Sequence, residues 1–511
     1  MKAHHCLCGI ALGALLAGCA VGPNYHEPRL KVPGGFVAAA ATTTASAASQ
    51  GNQQIDLATW WHALNDPQLN ALIDRAIEAN PSIEIALTRL QEARTFEVAI
   101  TGTALPEAGA SVGGGRGTGS NLARGRISPP LNAASNTAGL HQINYIAGFD
   151  AAWEIDLFGR YRRAIEAARY DTEAAAAARN AVLISVVADV ARAYVDMRGL
   201  QMELAVLRQN IRSAQTSLDL VQARFDRGII NELDVTLARR QLASFQAQVA
   251  PLTSQISAAQ NAIAVLLGQF PEDLAKELEK PGLVPQVPEK IDAGLPLDLI
   301  RRRPDIREAE REVAGATARI GVATANLFPR VSITAGWGGQ WQGLGNPPKH
   351  ETIWSLGGVV TWPLLDFGTL DALVDVADLR THELLVNYKR TVLNAVQEVD
   401  NAITSYAAQQ DRLRNLGDAL AASQRAVSLA SQRYDRGLTD YLNVVDAERQ
   451  GYDLAAQYAS AQTSAAEQFV ALYKGLGGGW EQYQSIPPIR QPQPAVIAAF
   501  QRVLAPEDPL K

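Results

Sequence analysis

The sequence predicts a mainly helical chain with a small β part, built as a tandem duplication of one unit. Three observations carry this prediction. The segment RFDRGIINELDVTLARRQ at Arg224–Gln241 is nearly repeated as RYDRGLTDYLNVVDAERQ at Arg433–Gln450. Two long stretches, from Arg160 to about Arg227 and from Asp371 to Arg436, place Leu, Val and Ala at helical spacing. Four short segments alternate apolar with small or polar residues at period two, the mark of a strand with two different faces.

The amino terminus sets the compartment. MKAHHCLCGIALGALLAGC has a Lys near its start, an apolar run too short to span a bilayer, and small residues before a Cys. This reads as a secretory signal over residues 1–18. Leu16-Ala17-Gly18-Cys19 resembles a bacterial lipobox, which implies lipidation of Cys19; the alternative is an ordinary cleaved signal with an incidental Cys. Several acyl chains anchor stably where one does not. Cys6 and Cys8 leave with the signal, so no intrachain disulfide is expected. Residues 19–59, rich in Pro, Ala, Thr and Ser up to about Asn52, read as an acylated tether, with folded sequence beginning near Trp60.

The duplication extends well beyond the opening pair. Arg224, Asp226, Arg227, Gly228, Leu233, Val235 and Ala238 recur at Arg433, Asp435, Arg436, Gly437, Leu442, Val444 and Ala447, an offset of 209. WEIDLFG at Trp153 and WPLLDFG at Trp362 obey the same offset, whereas LPEAGASVG at Leu105 and FPRVSITAG at Phe328 stand 223 apart. The first structural repeat is therefore expected over 60–286, the second over 287–480, and a C-terminal tail over 481–511.

Each repeat carries two strands. Tyr145, Ala147, Phe149, Ala151, Trp153, Ile155 and Leu157 share one face, with Gly148, Asp150, Glu154 and Asp156 on the other; Trp354, Leu356, Val360, Trp362 and Leu364 repeat the pattern. Val331, Ile333, Ala335 and Trp337 mark a third strand, and Ala108, Ala110 and Val112 a fourth. Such apolar faces pack against a second sheet or against lipid. Large aromatics on one side and small or acidic residues on the other favour lipid, with Trp153, Trp337, Trp354 and Trp362 as membrane-interface aromatics. Four strands cannot close a transmembrane barrel, which needs about eight, so several chains must pool their strands.

Each long helix spans about 100 Å, more than a globular diameter, and must pair laterally with shorter helices such as those over about 81–104 and 231–267. The DRG sequences mark where the chain turns back, with Gly228 and Gly437 at the helix C-terminal position that wants a left-handed backbone. Asn231 and Asp440 are placed to cap the returning helices.

Taken in order, LAGCAVGPNY, WWHALNDPQLNALIDRAIEANPSI, WEIDLFGR, RRRPDIREAE, LFPRVS, the two DRG tips and LYKGLGGGW resemble the TolC-like outer-membrane efflux proteins, in the acylated branch called the NodT or OprM type. The resemblance covers nearly the whole mature chain. It implies a TolC-like α/β-barrel: a homotrimer whose twelve strands form one barrel in the outer membrane, with a periplasmic helical tunnel below. The implied partners are a periplasmic membrane-fusion adaptor protein, an inner-membrane transporter of the RND type and outer-membrane lipid. The implied activity is that of an exit duct passing small molecules such as drugs outward; a conduit for protein secretion and a pore-free coiled-coil lipoprotein are the alternatives. The resemblance also implies that Cys19 anchors the chain in the outer membrane. Carried over residue by residue, the periplasmic gate falls on Leu442, Asn443, Asp446 and Arg449, and the hairpin tips that contact the adaptor on Arg227, Gly228, Arg436 and Gly437.

Threefold symmetry would turn Leu442 into an apolar collar and Asp446 into an acidic ring, both usual constriction devices. Against this, Leu442 can be read as coiled-coil packing, and Asp446 as a solvated residue paired with Arg449. Composition narrows the field. The net charge of −6 includes no basic cluster, which argues against nucleic acid, and the seven His lack metal-ligand spacing. No nucleophile, metal or phosphate motif stands out, so neither an enzyme nor a cofactor is expected.

Overall fold

The computed structural model describes residues 20–30, 55–117, 142–288, 299, 301–343 and 349–483. The signal 1–18, Cys19, most of the tether and the tail beyond Tyr483 lie outside the described residues. The fold comprises two compact units. One collects the described residues of 1–29, 90–176 and 308–389, the other those of 30–89, 177–307 and 390–511. Both units draw on both sequence repeats.

In chain order the main elements are α1 (Pro67–Ala79), α2 (Pro81–Thr103), β1 (Glu107–Gly117), β2 (Gln142–Ile155), α3 (Arg160–Asp226), α4 (Glu232–Ala247), α5 (Val249–Leu266) and α6 (Pro271–Leu278). The second repeat follows with α7 (Pro304–Ala325), β3 (Arg330–Gly343), β4 (Lys349–Thr361), α8 (Thr369–Asp435) and α9 (Tyr441–Gly475). Both long helices have 67 residues, and both their first and last residues obey the 209 offset. At 1.5 Å per residue each is about 100 Å long. Part of α3 is apolar enough to cross a bilayer, but half of that window is buried inside the protein, where Leu183, Val187, Val190, Ala191 and Val195 form core.

The first unit contains one antiparallel sheet in the order β1-β2-β3-β4. Phe149 stands opposite Ala110 on one side and Trp337 on the other, and Trp337 opposite Trp354, so aromatic residues from three adjacent strands form a row. That face is bare: Phe149, Trp337 and Trp354 are 63%, 60% and 74% exposed. Asp150, Glu154, Ser332, Thr334 and Ser355 lie on the opposite face, as alternation requires. The strands end at Ile155 and Thr361, so Trp362 and Leu364 fall just beyond the ladder rather than within it.

In the second unit the two ends of the duplication meet. Trp60 and Trp61 are each 1% exposed and meet edge to face; Trp60 packs with Phe469 and Tyr473 of α9, stacking on Tyr473 with centroids 5.7 Å apart. The glycine run 477–479 makes room for this: Gly479 adopts φ 105° against both indoles, and a Cβ on Gly478 would run into the Leu57 carbonyl. Caps start the helices locally. Asp66 accepts from the amides of Gln68 and Leu69, and Asn80 accepts from Ser82 while its own amide donates to the Leu266 carbonyl at 2.6 Å.

Two sequence expectations change. The helix expected over about 231–267 is broken at Gln248 into α4 and α5, because Pro251 has no N–H for the Ala247 carbonyl; at the equivalent position the second repeat has Ser460, and α9 runs unbroken. The tether is also not free throughout. Ala20–Leu30 is extended but fixed: Val21 donates to the Phe158 carbonyl, and the Arg163 guanidinium binds the carbonyls of Val21 and Gly22, the Asn24 side chain and Glu166. Tyr25 donates to Glu310 of α7 and lies against the Tyr170 ring.

Candidate functional site

The hairpin tips close with the geometry their glycines allow. Gly228 and Gly437 have φ of 73° and 71°. Gly228 donates to Phe225 and Ile229 to Arg224; Gly437 donates to Tyr434 and Leu438 to Arg433. Both are paired C-terminal caps that satisfy the last carbonyls of the long helices. Arg227 and Arg436 are exposed beside them. Asn231 caps α4 through the amides of Leu233 and Asp234. Asp440 occupies the equivalent position before α9, but its side chain makes no cap bond, which corrects half of the capping expectation. Its negative charge, together with burial as the larger cause, raises the Asp234 carboxyl above its usual range.

The proposed gate residues share one side of α9. Leu442, Asn443, Asp446 and Arg449 are all exposed, while Tyr441, Val444, Val445 and Glu448 are buried. Arg449 donates to Asp446 at 3.1 Å, Gln450 donates to its other oxygen at 2.8 Å, and Asn443 turns back to Thr439. Leu442 is therefore no part of the packing seam within the chain. That seam joins Val221 of α3 and Val235 and Ala238 of α4 to Tyr434, Tyr441, Val444 and Val445. Arg224 clamps the two tips: its guanidinium pairs with Asp435 at 2.9 Å and lies over the Tyr434 ring.

The sequence reading missed Glu448. It sits on the buried side of α9, 6% exposed, accepting from Ser217 of α3 at 3.0 Å, with Tyr441 and Tyr452 close by. The signal was available, since Glu448 follows Tyr441 and Val445 at helical spacing. Burial raises its carboxyl above the usual range, opposed by the Ser217 hydrogen bond. With the folded value above the unfolded one, its contribution to stability is complete below the unfolded pKa and is lost as pH rises through the folded value. Glu448→Gln is expected to raise the thermal midpoint at about pH 8 and leave it unchanged at about pH 4, as read by loss of helical circular dichroism; an equal shift at both would contradict this.

The four Trp expected at the membrane interface divide into two pairs. Trp153 and Trp362 lie at the helical end of the sheet, where their indoles donate to the carbonyls of Ala104 and Leu327, repeat-equivalent positions at the close of α2 and α7. Trp337 and Trp354 stand mid-strand, opposite one another. An exposed aromatic face over a small and polar one suits a sheet with lipid on one side and water on the other.

The comparisons agree with this architecture. The profile of the outer membrane efflux protein family matches residues 72–269 and 295–478. Nodulation protein T of Rhizobium leguminosarum bv. trifolii is 30% identical over 471 residues, covering 91% of this chain and 96% of its own. The toluene efflux pump outer membrane protein TtgF of Pseudomonas putida is 29% identical, covering 95% and 99%. The solved outer-membrane channel OprN superposes with a TM-score of 0.80 at 33% identity, covering 91% of this chain and all of its own. The chain belongs to the outer membrane efflux protein family.

Proposed function

We propose that this chain is the outer-membrane exit duct of a tripartite efflux pump. Three copies pool four strands each into a twelve-stranded barrel, and the long helices continue as a periplasmic tunnel that narrows at the tips. The observation that carries this reading is the four-stranded sheet itself: among the described residues both edges are unpaired and one face is aromatic and bare, an arrangement too sparse to enclose anything alone. The two repeats, 60–286 and 287–480, supply alternate staves of the duct. Acylation at Cys19 holds the chain in the outer membrane.

The duct conducts passively. Energy comes from an inner-membrane transporter of the RND type, coupled through a periplasmic adaptor that meets the tips around Arg227, Gly228, Arg436 and Gly437. The cargo is a small molecule; relatives named for toluene and solvent efflux support organic compounds. Threefold repetition of Leu442, Asn443, Asp446 and Arg449 forms the constriction, and the exposed Asp446–Arg449 pair leaves both charges open to the axis. Replacing Asp446 and Arg449 together with Ala is expected to raise the single-channel conductance of the isolated protein. An unchanged conductance would remove these residues from the gate.

A further inference from the structure

Four helices of the first unit, α2, α3, α7 and α8, leave a recess of about 450 Å³ close to the sheet, a volume within the range of small-molecule sites. Phe96, Ile100, Leu373 and Val376 supply its apolar wall, about 5–10 Å along their helices from the sheet ends. Asp171, Arg319 and Arg380 line its far end, at about 9–16 Å. Arg319 pairs with Asp171, and Gly315 leaves room for them: a Cβ there would stand 3.0 Å from the carboxylate and 3.4 Å from the guanidinium. Arg380 makes no ion pair among the described residues. The lining thus holds one positive charge in surplus. Asp171 also acts on the charge of Glu312, but Glu312 lies about 10 Å farther along α7 than Arg319 and outside the lining.

The recess opens on the side of the sheet's small, polar face. Arg160, Ala164, Ala167 and Asp171 follow at i, i+4, i+7 and i+11 and so form one stripe of α3. Arg160, at the top of that stripe, pairs with Glu154 at 2.9 Å, and Glu154 stands on the polar face. On α7 the recess takes Arg319, Val322 and Asn326. The Ala20–Leu30 segment lies across the opposite side of that helix, where Gly22 packs on Gly321 and Tyr25 donates to Glu310. With lipid on the aromatic face, the polar face and the recess below it turn toward the water-filled interior of the duct.

We propose that this recess is a cargo-binding site in the duct wall that takes amphipathic organic anions. An aromatic or short aliphatic body lies against Phe96, Ile100, Leu373 and Val376, and a carboxylate or sulfonate meets Arg380, with Arg319 beside it. Neutral aromatic compounds use the apolar wall alone and bind more weakly. Organic cations meet the surplus charge and are disfavoured. The inference rests on the duct reading above and adds a preference among organic cargoes that a passive conduit does not by itself supply.

The test uses full-length acylated protein in outer-membrane vesicles, irradiated with 4-azidobenzoate, 4-azidotoluene or 4-azidobenzylammonium, with the labelled residues mapped by mass spectrometry. 4-Azidobenzoate is expected to label segments 96–100 and 370–380 at lower concentration than the other two, and excess benzoate to prevent it. Arg380→Gln, which breaks no ion pair, is expected to raise the concentration for half-maximal labelling by 4-azidobenzoate about tenfold and to leave that for 4-azidotoluene unchanged. Val376→Trp fills the apolar wall and is expected to abolish labelling by both. Equal labelling by the anion and the ammonium compound, or an unchanged value in Arg380→Gln, overturns the proposal. Label spread evenly over the helices, or none at the recess because lipid or a neighbouring copy covers it, overturns it as well. Planar-bilayer current from the same protein separates two failures: discrete steps leave the duct standing without its binding site, and their absence removes both.

Discussion

Trp60→Ala is expected to destabilise the protein by about 3–5 kcal/mol, the usual cost of emptying a fully buried aromatic site. Trp60 is 1% exposed, stacks on Tyr473 at an interplanar angle of 15° and touches Phe469 and Trp61. Its position adds weight to the number, since it joins the beginning of the first repeat to the end of the second. The neighbouring backbone is closely fitted: Gly477 and Gly479 hold positive φ against Arg303 and the indoles. Thermal unfolding of the detergent-solubilised protein, followed by helical circular dichroism, would show a lowered midpoint, and Trp60→Phe would recover much of it by keeping an aromatic face on Tyr473. A midpoint unchanged by Trp60→Ala would mean that this cluster does not hold the repeats together.

Arg303→Ala should cost about 3 kcal/mol, the low end for breaking a buried ion pair, because both partner carboxylates keep some contact with water. Arg303 forks onto both oxygens of Asp305 at 3.0 and 2.7 Å, and its remaining nitrogen reaches Glu398 at 2.8 Å and the Gly475 carbonyl at 2.7 Å. Burial alone would depress the guanidinium, but Asp305 and Glu398 hold it above its ordinary range. One side chain thereby ties the start of α7 to α8 and to the end of α9. Arg303→Lys should rescue little, because a single ammonium cannot reproduce the planar fork. Equal stability of Arg303→Lys and the parent protein would show that charge alone suffices there.

Much of the architecture was legible because its causes are local. Helix period, the tip glycines and the alternation of Trp153 with Glu154 each depend on residues close in sequence, and the structure places the long helices within about two residues of their expected ends. Features that depend on distant partners were harder to read. Ala20–Leu30 has the composition of a tether, and only the approach of Arg163, Tyr170 and Glu310 fixes it. RRRPDIREAE stood out as a motif, but nothing in it says that Arg303 reaches Gly475, 172 residues away. Pro251 stands in the sequence, but the apolar spacing on both sides of it reads as one continuous helix. Glu448 illustrates a further limit: its spacing from Tyr441 and Val445 places it on the buried side of α9, but its partner Ser217 lies 231 residues away. The gate residues are legible only in part, for an exposed stripe on one chain becomes a constriction only when copies surround an axis.

The central claim is that a sheet unable to close on itself becomes a water-filled pore when identical copies share it within a bilayer. Current through a planar lipid membrane after addition of the purified, acylated protein tests this most directly. Discrete, uniform steps are expected, larger when Asp446 and Arg449 are replaced by Ala. Protein that inserts into the membrane and carries no stepwise current, in either form, would contradict it.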